Sequence, residues 1–558
     1  MLRMAQAAAA AVLPAAPPRR LPAAGVAAYS SSALDWLAQF INYEQRGVPA
    51  AAGTDTDAGF DLGRMHRLLA DLGDPQHAWP AVHVAGTKGK GSTAAMLAAI
   101  LKAAGYKAGL YTSPHIRSFH ERIAVGGAPI PPAQLDALVA RHAGAIEAAA
   151  AREAGALSHF EIVTALAYKH FQEQQVDAAV IEVGLGGTRD ATNVLPAASL
   201  AAAVVTAVGR DHAAALGGTI EAIAAAKAGI MQAGRPVVLG RQPEAAAEAV
   251  LLQRARELGG PVIRAAEEVQ FQPAADGGSS SSSSSSSSDH GSTGSGGSVL
   301  QLRQRHTMTL KGATAEALLG SSEQVQQDVQ LRLLGSHQLD NAAAAVAAAA
   351  CLRRHRLERI TLQAVAAGLA EASLPGRFQI CQFAEDAEAA AAAVRAAQGG
   401  GADSAAGAAG PWVVLDGAHT AESAKALAQT LRAAFPAAPV ALVLAMAEDK
   451  EHREICQELR AIQPAAVIFT TVPIAGGSAR AAGPGQLAAA WQAAAILGGG
   501  RPRGGVRTRE LIQASLTAAV ERGRMELRAH PGERGVVLVC GSLHAVGAAL
   551  AQLPVVPA

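Results

Sequence analysis

The stretch HVAGTKGKGSTAAM, residues 83–96, decides the fold. An apolar, β-like run, Val82–Ala85, enters three glycines and two lysines, and a helix-like run leaves them. Gly86, Gly89 and Gly91 let the backbone turn tightly and aim its N–H groups inward, which makes an anion nest at a helix N-terminus. Lys90 adds a charge suited to the β- and γ-phosphates of a nucleotide, and Ser92 or Thr93 offers a hydroxyl near magnesium. The whole loop, Thr87 included, is therefore expected to bind ATP. The strict pattern GxxxxGK[ST] is not met, because Gly91 follows Gly89-Lys90 and Val84 stands where the first glycine belongs.

Outward from the loop, short β-rich runs alternate with longer alanine-rich stretches. Candidate strands are Val82–Ala85, Ala179–Val183, Ala202–Val208 and Val237–Leu239, then Val413–Leu415, Val440–Leu444, Val467–Thr470 and Val536–Val539. Most are continuous apolar runs, the pattern of strands covered on both faces in a parallel α/β sheet. Glu182, in VIEVGLGGTRDATNV, ends one such run at the carboxyl edge where open α/β sheets bind ligands. An unpaired carboxylate there is costly, so a cation is its natural partner. Asn341, in LLGSHQLDNAAAA, offers a donor and an acceptor to a purine edge, or equally a cap for a helix beginning at residue 342. The run Ala342–Leu352 is too short to span a bilayer and reads as a packed helix.

The loop variant GTKGKGST resembles the ATP loop of the Mur-ligase superfamily, in particular its folylpolyglutamate and dihydrofolate synthase branch. YTSPHIRSFHERI, residues 111–123, resembles that family's substrate loop, with His120 in place of the commoner asparagine. The resemblance implies Ser113, Glu182 and His212 as ligands of two magnesium ions, and Pro114, His115, Arg122, Phe160 and Glu161 as substrate contacts. It implies that Lys227 is carbamylated, which turns a cation that repels magnesium into an anion that can sit beside it. Arg377, in LPGRF, is expected to reach the ATP phosphates, where a guanidinium matches phosphate geometry. Asp416 and His419, in VVLDGAHTAES, are expected near the ribose or nucleotide and near the γ-phosphate or incoming glutamate, respectively. MAEDKEH and GSLHAVG, residues 541–547, match later family segments. Lys90, Lys227, Arg377 and His419 form the expected catalytic set, and Asn341, Arg377 and Asp416 join the loop in holding ATP.

The fold that this implies is an N-terminal P-loop-type ATPase domain with a mainly parallel sheet, followed by a smaller Rossmann-like α/β domain. The expected boundaries are 33–373, a hinge at 374–378, and 379–558. A serine-rich insertion at 275–298 cannot bury enough apolar surface to order itself, and added loop length costs little. Residues 1–32 carry Arg3, Arg19 and Arg20 and no acid, as an organelle transit peptide does. Mitochondria are the expected destination, with a plastid or the cytosol as alternatives.

Composition narrows the classes further. The 558 residues carry a formal net charge of +1 and only 3% aromatics. No global basic field draws nucleic acid or anionic lipid, and base-stacking groups are scarce. The expected partners are small molecules: ATP, L-glutamate and dihydropteroate or a folate, bound by a monomer. Four cysteines without metal-ligand spacing read as small buried hydrophobes. SHFEIVTALAY, GGTRDATNV and residues 42–69 resemble plant dihydrofolate synthases, so glutamate ligation to dihydropteroate is the favoured activity. Polyglutamate extension of tetrahydrofolate is the alternative. A nucleotide switch without ligase chemistry would need the loop but not the later motifs.

Overall fold

The computed structural model describes residues 32–56, 59–274, 303–321, 323–385, 410–474, 480–497, 508–530 and 534–557. The expected transit segment through residue 31 and the serine-rich insertion lie outside the described residues, as does most of the low-complexity run Ala389–Gly410.

The first sheet contains β1 (Ala81–Ala85), β2 (Ala108–Tyr111), β3 (Ile123–Val125), β4 (Ala128–Pro129), β5 (Ala178–Glu182), β6 (Leu200–Val205), β7 (Val237–Leu239) and β8 (Val262–Arg264). Their order is β4-β3-β2-β5-β1-β6-β7-β8, parallel from β2 through β8. Every residue of β1, β5 and β6 is buried, which is why these strands read as unbroken apolar runs. β1 lies between β5 and β6, with Val84 beside Glu182 and Ala85 beside Val205. The loops leaving these three strands therefore meet at one carboxyl edge, where open sheets bind ligands.

A small antiparallel sheet, β9 (Val269–Pro273), β10 (Gln304–Leu310) and β11 (Val325–Leu331), packs beside this core. The alanine run belongs to the helix Ser336–His355, where residues 342–352 are all buried. Their small side chains let this helix lie close against both the helix Lys90–Ala103 and β6. The helix Leu362–Glu371 packs on Lys90–Ala103, and Leu374–Phe378 then leads to the second sheet.

That sheet contains β12 (Gln379–Phe383), β13 (Trp412–Leu415), β14 (Val440–Leu444), β15 (Ala466–Phe469), β16 (Arg509–Ile512), β17 (Val536–Cys540) and β18 (Val555–Pro557). Its order is β16-β15-β14-β17-β13-β12-β18, parallel except for β12 and β18. The fold is thus mixed α/β, with a mostly parallel N-terminal sheet and a second α/β domain. The four cysteines are buried and unbridged, as expected. Among the described residues no helix is long and apolar enough to cross a membrane.

Candidate active site

The glycine loop has the conformation its sequence demands. Gly86 and Gly89 hold φ of 147° and 90°, and a Cβ on either would stand 1.8 Å from Thr206 Oγ1 or 2.1 Å from Asn341 Oδ1. Gly89 caps the helix Lys90–Ala103, so that helix N-terminus faces the strand edge. Ser92 and Thr93 are buried on it, and Thr93 Oγ1 donates to the Asn341 carbonyl at 3.4 Å. Asn341 does not cap a helix at 342. The helix starts at Ser336, which places Asn341 on its second turn, donating to Gln338 Oε1 at 2.9 Å and packed under Gly89.

Glu182 is buried, and its Oε2 accepts the Ser113 N–H at 3.2 Å. Burial pushes its carboxyl above the usual range, opposed by Lys90, the Ser113 N–H and Arg377. A Cβ on Gly91 would lie 3.5 Å from Glu182 Oε2, so the carboxylate sits directly over the helix N-terminus. Lys227 is also buried, and its Nζ donates to the Gly86 carbonyl at 3.0 Å. Burial and then Lys90 pull its amine down to about 7. Gly86, Thr87, Lys90, Gly184, His212 and Lys227 line one cleft together with Asp211.

Asp211 is a site residue that motif reading passes over, although it stands beside His212 in GRDH. Its Oδ2 lies 3.4 Å from Lys88 Nζ. Burial raises its carboxyl, but Lys88, His212, His419 and Lys450 bring it down to about 2.

The substrate loop places Ser113 at Glu182 and carries a cis Ser113–Pro114 bond. Arg122 is spent inside the protein: both terminal nitrogens reach the Glu44 carboxylate, and Nε donates to His115 Nδ1 at 2.9 Å. Glu161 is likewise engaged, closing a capping box with Ser158 and pairing with Arg64 Nε at 3.1 Å. Phe160 packs on Gly184, where a Cβ would stand 2.4 Å from its Cζ. Beneath them, His83 Nε2 meets Thr192 Oγ1 at 2.8 Å, and Thr192 donates to Asp190, whose Oδ2 accepts the Leu185 N–H at 2.7 Å.

The second domain completes the cleft. Arg377 exerts its charge on both Glu182 and Asp416, and a Cβ on Gly417 would lie 3.4 Å from its Nη1. Asp416 is half-buried with both oxygens on backbone N–H groups, Phe378 at 2.7 Å and Ala418 at 2.8 Å. His419 Nδ1 lies 2.8 Å from the Gly417 carbonyl, and burial followed by Lys88 lowers its pKa to about 4. The ring is therefore neutral near pH 7, with the Nδ1 proton on Gly417 and the Nε2 lone pair free to accept.

Family models match the Mur ligase middle domain over residues 84–349 and the Mur ligase glutamate ligase domain over 403–543. A dihydrofolate synthase/folylpolyglutamate synthase of Bacillus subtilis is 33% identical over 403 residues, 72% of this chain and 79% of that protein. The chain belongs to the dihydrofolate synthase/folylpolyglutamate synthase family. It is thus a member of the Mur-ligase-type ATP-dependent ligases. Among solved structures of this family, folylpolyglutamate synthase of Mycobacterium tuberculosis with ADP and AMPPCP aligns with a TM-score of 0.66. It is 29% identical, and the alignment covers 89% of this chain and 96% of that one. An FPGS–AMPPCP–folate complex aligns with a TM-score of 0.64 at 26% identity, over 92% and 97% of the two chains.

Among the described residues no three His, Cys, Asp or Glu side chains form a ready-made metal cage. Magnesium is usually held by one or two carboxylates, waters and substrate phosphates. The buried Glu182 carboxylate over the anion nest fits such an ion in this synthase family member.

Proposed function

We propose that the protein is a dihydrofolate synthase, ligating L-glutamate to dihydropteroate with ATP. The observation that carries the ligase part of this reading is that Arg377, packed beside Gly417 of the second domain, exerts its charge on Asp416 and also on Glu182 at the edge of the first sheet. A nucleotide switch needs the loop, but it does not need a second domain bringing an arginine to the phosphate site.

In this reading the loop Gly86–Thr93 holds the ATP phosphates through the N–H groups at the start of the helix Lys90–Ala103 and the Lys90 ammonium, while the Thr87 and Lys88 N–H groups tie the loop to Ala207, and Asn341 and Asp416 lie toward the nucleoside. Arg377 adds positive charge where the transferred phosphoryl group develops negative charge. Magnesium held by Ser113, Glu182 and His212 would neutralise phosphate oxygens. Lys227 supplies what carbamylation needs: with a pKa of about 7, much of its amine is neutral and can attack CO₂, releasing one proton. The pterin acid carboxylate displaces ADP from the γ-phosphorus to give an acyl phosphate. The amine of L-glutamate then displaces phosphate and forms the amide. His419, neutral with Nε2 free, is suited to accept a hydrogen bond from that amine. Pro114, His115 and Phe160 border the pterin side, while Arg122 and Glu161 hold the loop and helix that carry them.

The likeness of SHFE and GGTRDATN to plant dihydrofolate synthases supports dihydropteroate over tetrahydrofolate as the acceptor of the first glutamate. Purified protein, assayed for glutamate-dependent ADP release, is expected to turn over dihydropteroate. Activity on tetrahydrofolate alone overturns that choice in favour of polyglutamate extension.

A further inference from the structure

Glycines give the phosphate loop little stiffness of its own, so its shape must come from its surroundings. It comes from a neighbouring loop, residues 206–209 after β6. The Ala207 carbonyl accepts the Thr87 and Lys88 N–H groups at 2.8 and 3.2 Å. Thr87 Oγ1 donates to the Gly209 carbonyl or accepts the Gly209 N–H, each at 3.0 Å. Thr206 Oγ1 donates to the Ala85 carbonyl at 3.2 Å and fills the space that a Cβ on Gly86 would need. This second loop is held in turn by one side chain. Gln242, half-buried and just past the end of β7, donates from Nε2 to the Gly240 carbonyl at 2.9 Å and the Thr206 carbonyl at 3.1 Å. The same nitrogen lies 3.5 Å from the Val205 carbonyl, and Oε1 accepts the Val208 N–H at 3.1 Å. Three carbonyls and one N–H fix which way the amide points.

We propose that Gln242 is a positioning residue for the phosphate loop, acting on it through the loop after β6. Its amide sets the backbone of residues 205–208, and Ala207 and Gly209 then set Thr87 and Lys88. The glycine loop is thereby shaped before a nucleotide arrives. Without the amide, the loop after β6 loses four of its contacts and the glycine loop samples other shapes. Apparent affinity then falls with the fraction of molecules that hold the binding shape. The proposal rests on the reading of residues 86–93 as the ATP loop and adds to it a residue outside the site.

Gln242→Met tests it in the full chain, keeping the length of the side chain and removing both hydrogen-bonding ends. Calorimetric titration with AMPPCP and magnesium should show Kd raised roughly tenfold, the shift that loss of one or two neutral hydrogen bonds gives. KM for ATP rises with it, while kcat at saturating ATP and the KM values for L-glutamate and dihydropteroate stay within about threefold. Gln242→Asn keeps the amide on a shorter stem, reaches only some of the partners and should fall between parent and methionine variant. It carries the test if the methionine variant does not fold. A role in folding alone lowers the melting temperature of the variants and leaves the Kd for AMPPCP unchanged, and that result overturns the proposal. So does a rise shared equally by the KM values of all three substrates. A parent chain that binds no AMPPCP overturns the nucleotide reading beneath it instead, so the two failures are distinct.

Discussion

Asp416 holds Phe378 in a left-handed turn: its Oδ2 accepts the Phe378 N–H at 2.7 Å, and Phe378 has φ of 45°. A bulky residue in that region is strained unless its surroundings over-determine it, and here the ring is also buried against the second domain. The segment that links the two sheets is therefore fixed from the second domain, through the turn that follows β13. Asp416→Ala leaves the Phe378 and Ala418 N–H groups without their acceptor, at a cost of roughly 1–3 kcal/mol each if water cannot reach them. Urea unfolding should show this loss together with a raised KM for ATP. Unchanged stability with a raised KM would leave Asp416 as a nucleotide contact alone.

Lys227 gives a second expectation. Its amine, pulled down to about 7 by burial and Lys90, is largely neutral at pH 8 and open to CO₂. Lys227→Ala should lower turnover on the order of 100-fold, as loss of a group supporting a metal ligand does, and acetate or formate should restore part of it. Full activity of the alanine variant ends the carbamate proposal.

The pH dependence of stability follows from histidines that burial keeps neutral. His83 is lowered to about 3, and His159, His337 and His419 to about 4, from 6.5. The unfolded chain binds more protons than the folded one between those values, so stability rises with pH through that window. It is fully present above about pH 6.5 and is lost as pH falls toward 4 and then 3. His83→Leu removes the deepest of these titrations, and also a buried Nδ1 that has no hydrogen-bond partner. Its melting temperature should fall less than that of the parent chain between pH 7 and 4. An equal fall would place the acid sensitivity elsewhere.

The same buried groups mark where the sequence is legible and where it is not. β1, β5, β6, β14 and β17 stand out because burial on both faces leaves an unbroken apolar run. β16, with exposed Arg509, Glu510 and Ile512, carries no such run, and β11 alternates polar residues in a way that composition alone does not separate from loop. Motif residues close along the chain, such as Gly86–Thr93, are bound to be neighbours in space, so their joint role is readable from their order. Partners far apart carry no such signal: Glu44 and Arg122 are 78 residues apart, and His83 and Thr192 are 109 apart. Asn341 reads as a possible cap only because the alanine run hides the true start of its helix, which Gly335 and Ser336 set earlier.

The Glu44–Arg122 pair carries its own prediction. Arg122 is 2% exposed, and Glu44 supplies the only carboxylate bonded to it among the described residues. Although burial alone raises the Glu44 carboxyl, Arg122 holds it below the usual range. Glu44→Ala strands the guanidinium, and the loss should be roughly 2–4 kcal/mol, less than for a wholly buried pair because Glu44 is partly exposed. Thermal unfolding reads it. A loss well below 1 kcal/mol would mean that water reaches Arg122 once Glu44 is gone.

Gly547 tests how the two domains depend on one another. The loop of Ser113–Arg122 sends Ile116 against the second domain, where it packs with Val546. A Cβ on Gly547 would stand 2.4 Å from the Ile116 carbonyl oxygen, a backbone atom that cannot swing aside as a side chain can. Gly547 lies within the helix Leu543–Gln552, so alanine there suits the helix itself and removes a flexible residue from the unfolded chain. Any harm must therefore come from the contact between domains. Gly547→Ala should keep or raise the unfolding temperature of the second domain while lowering kcat/KM by roughly tenfold or more, because a displacement near 1 Å at a reacting site is enough for such losses. Small-angle scattering should show a larger radius of gyration. Full activity with an unchanged radius would mean that this docking is not part of the working conformation.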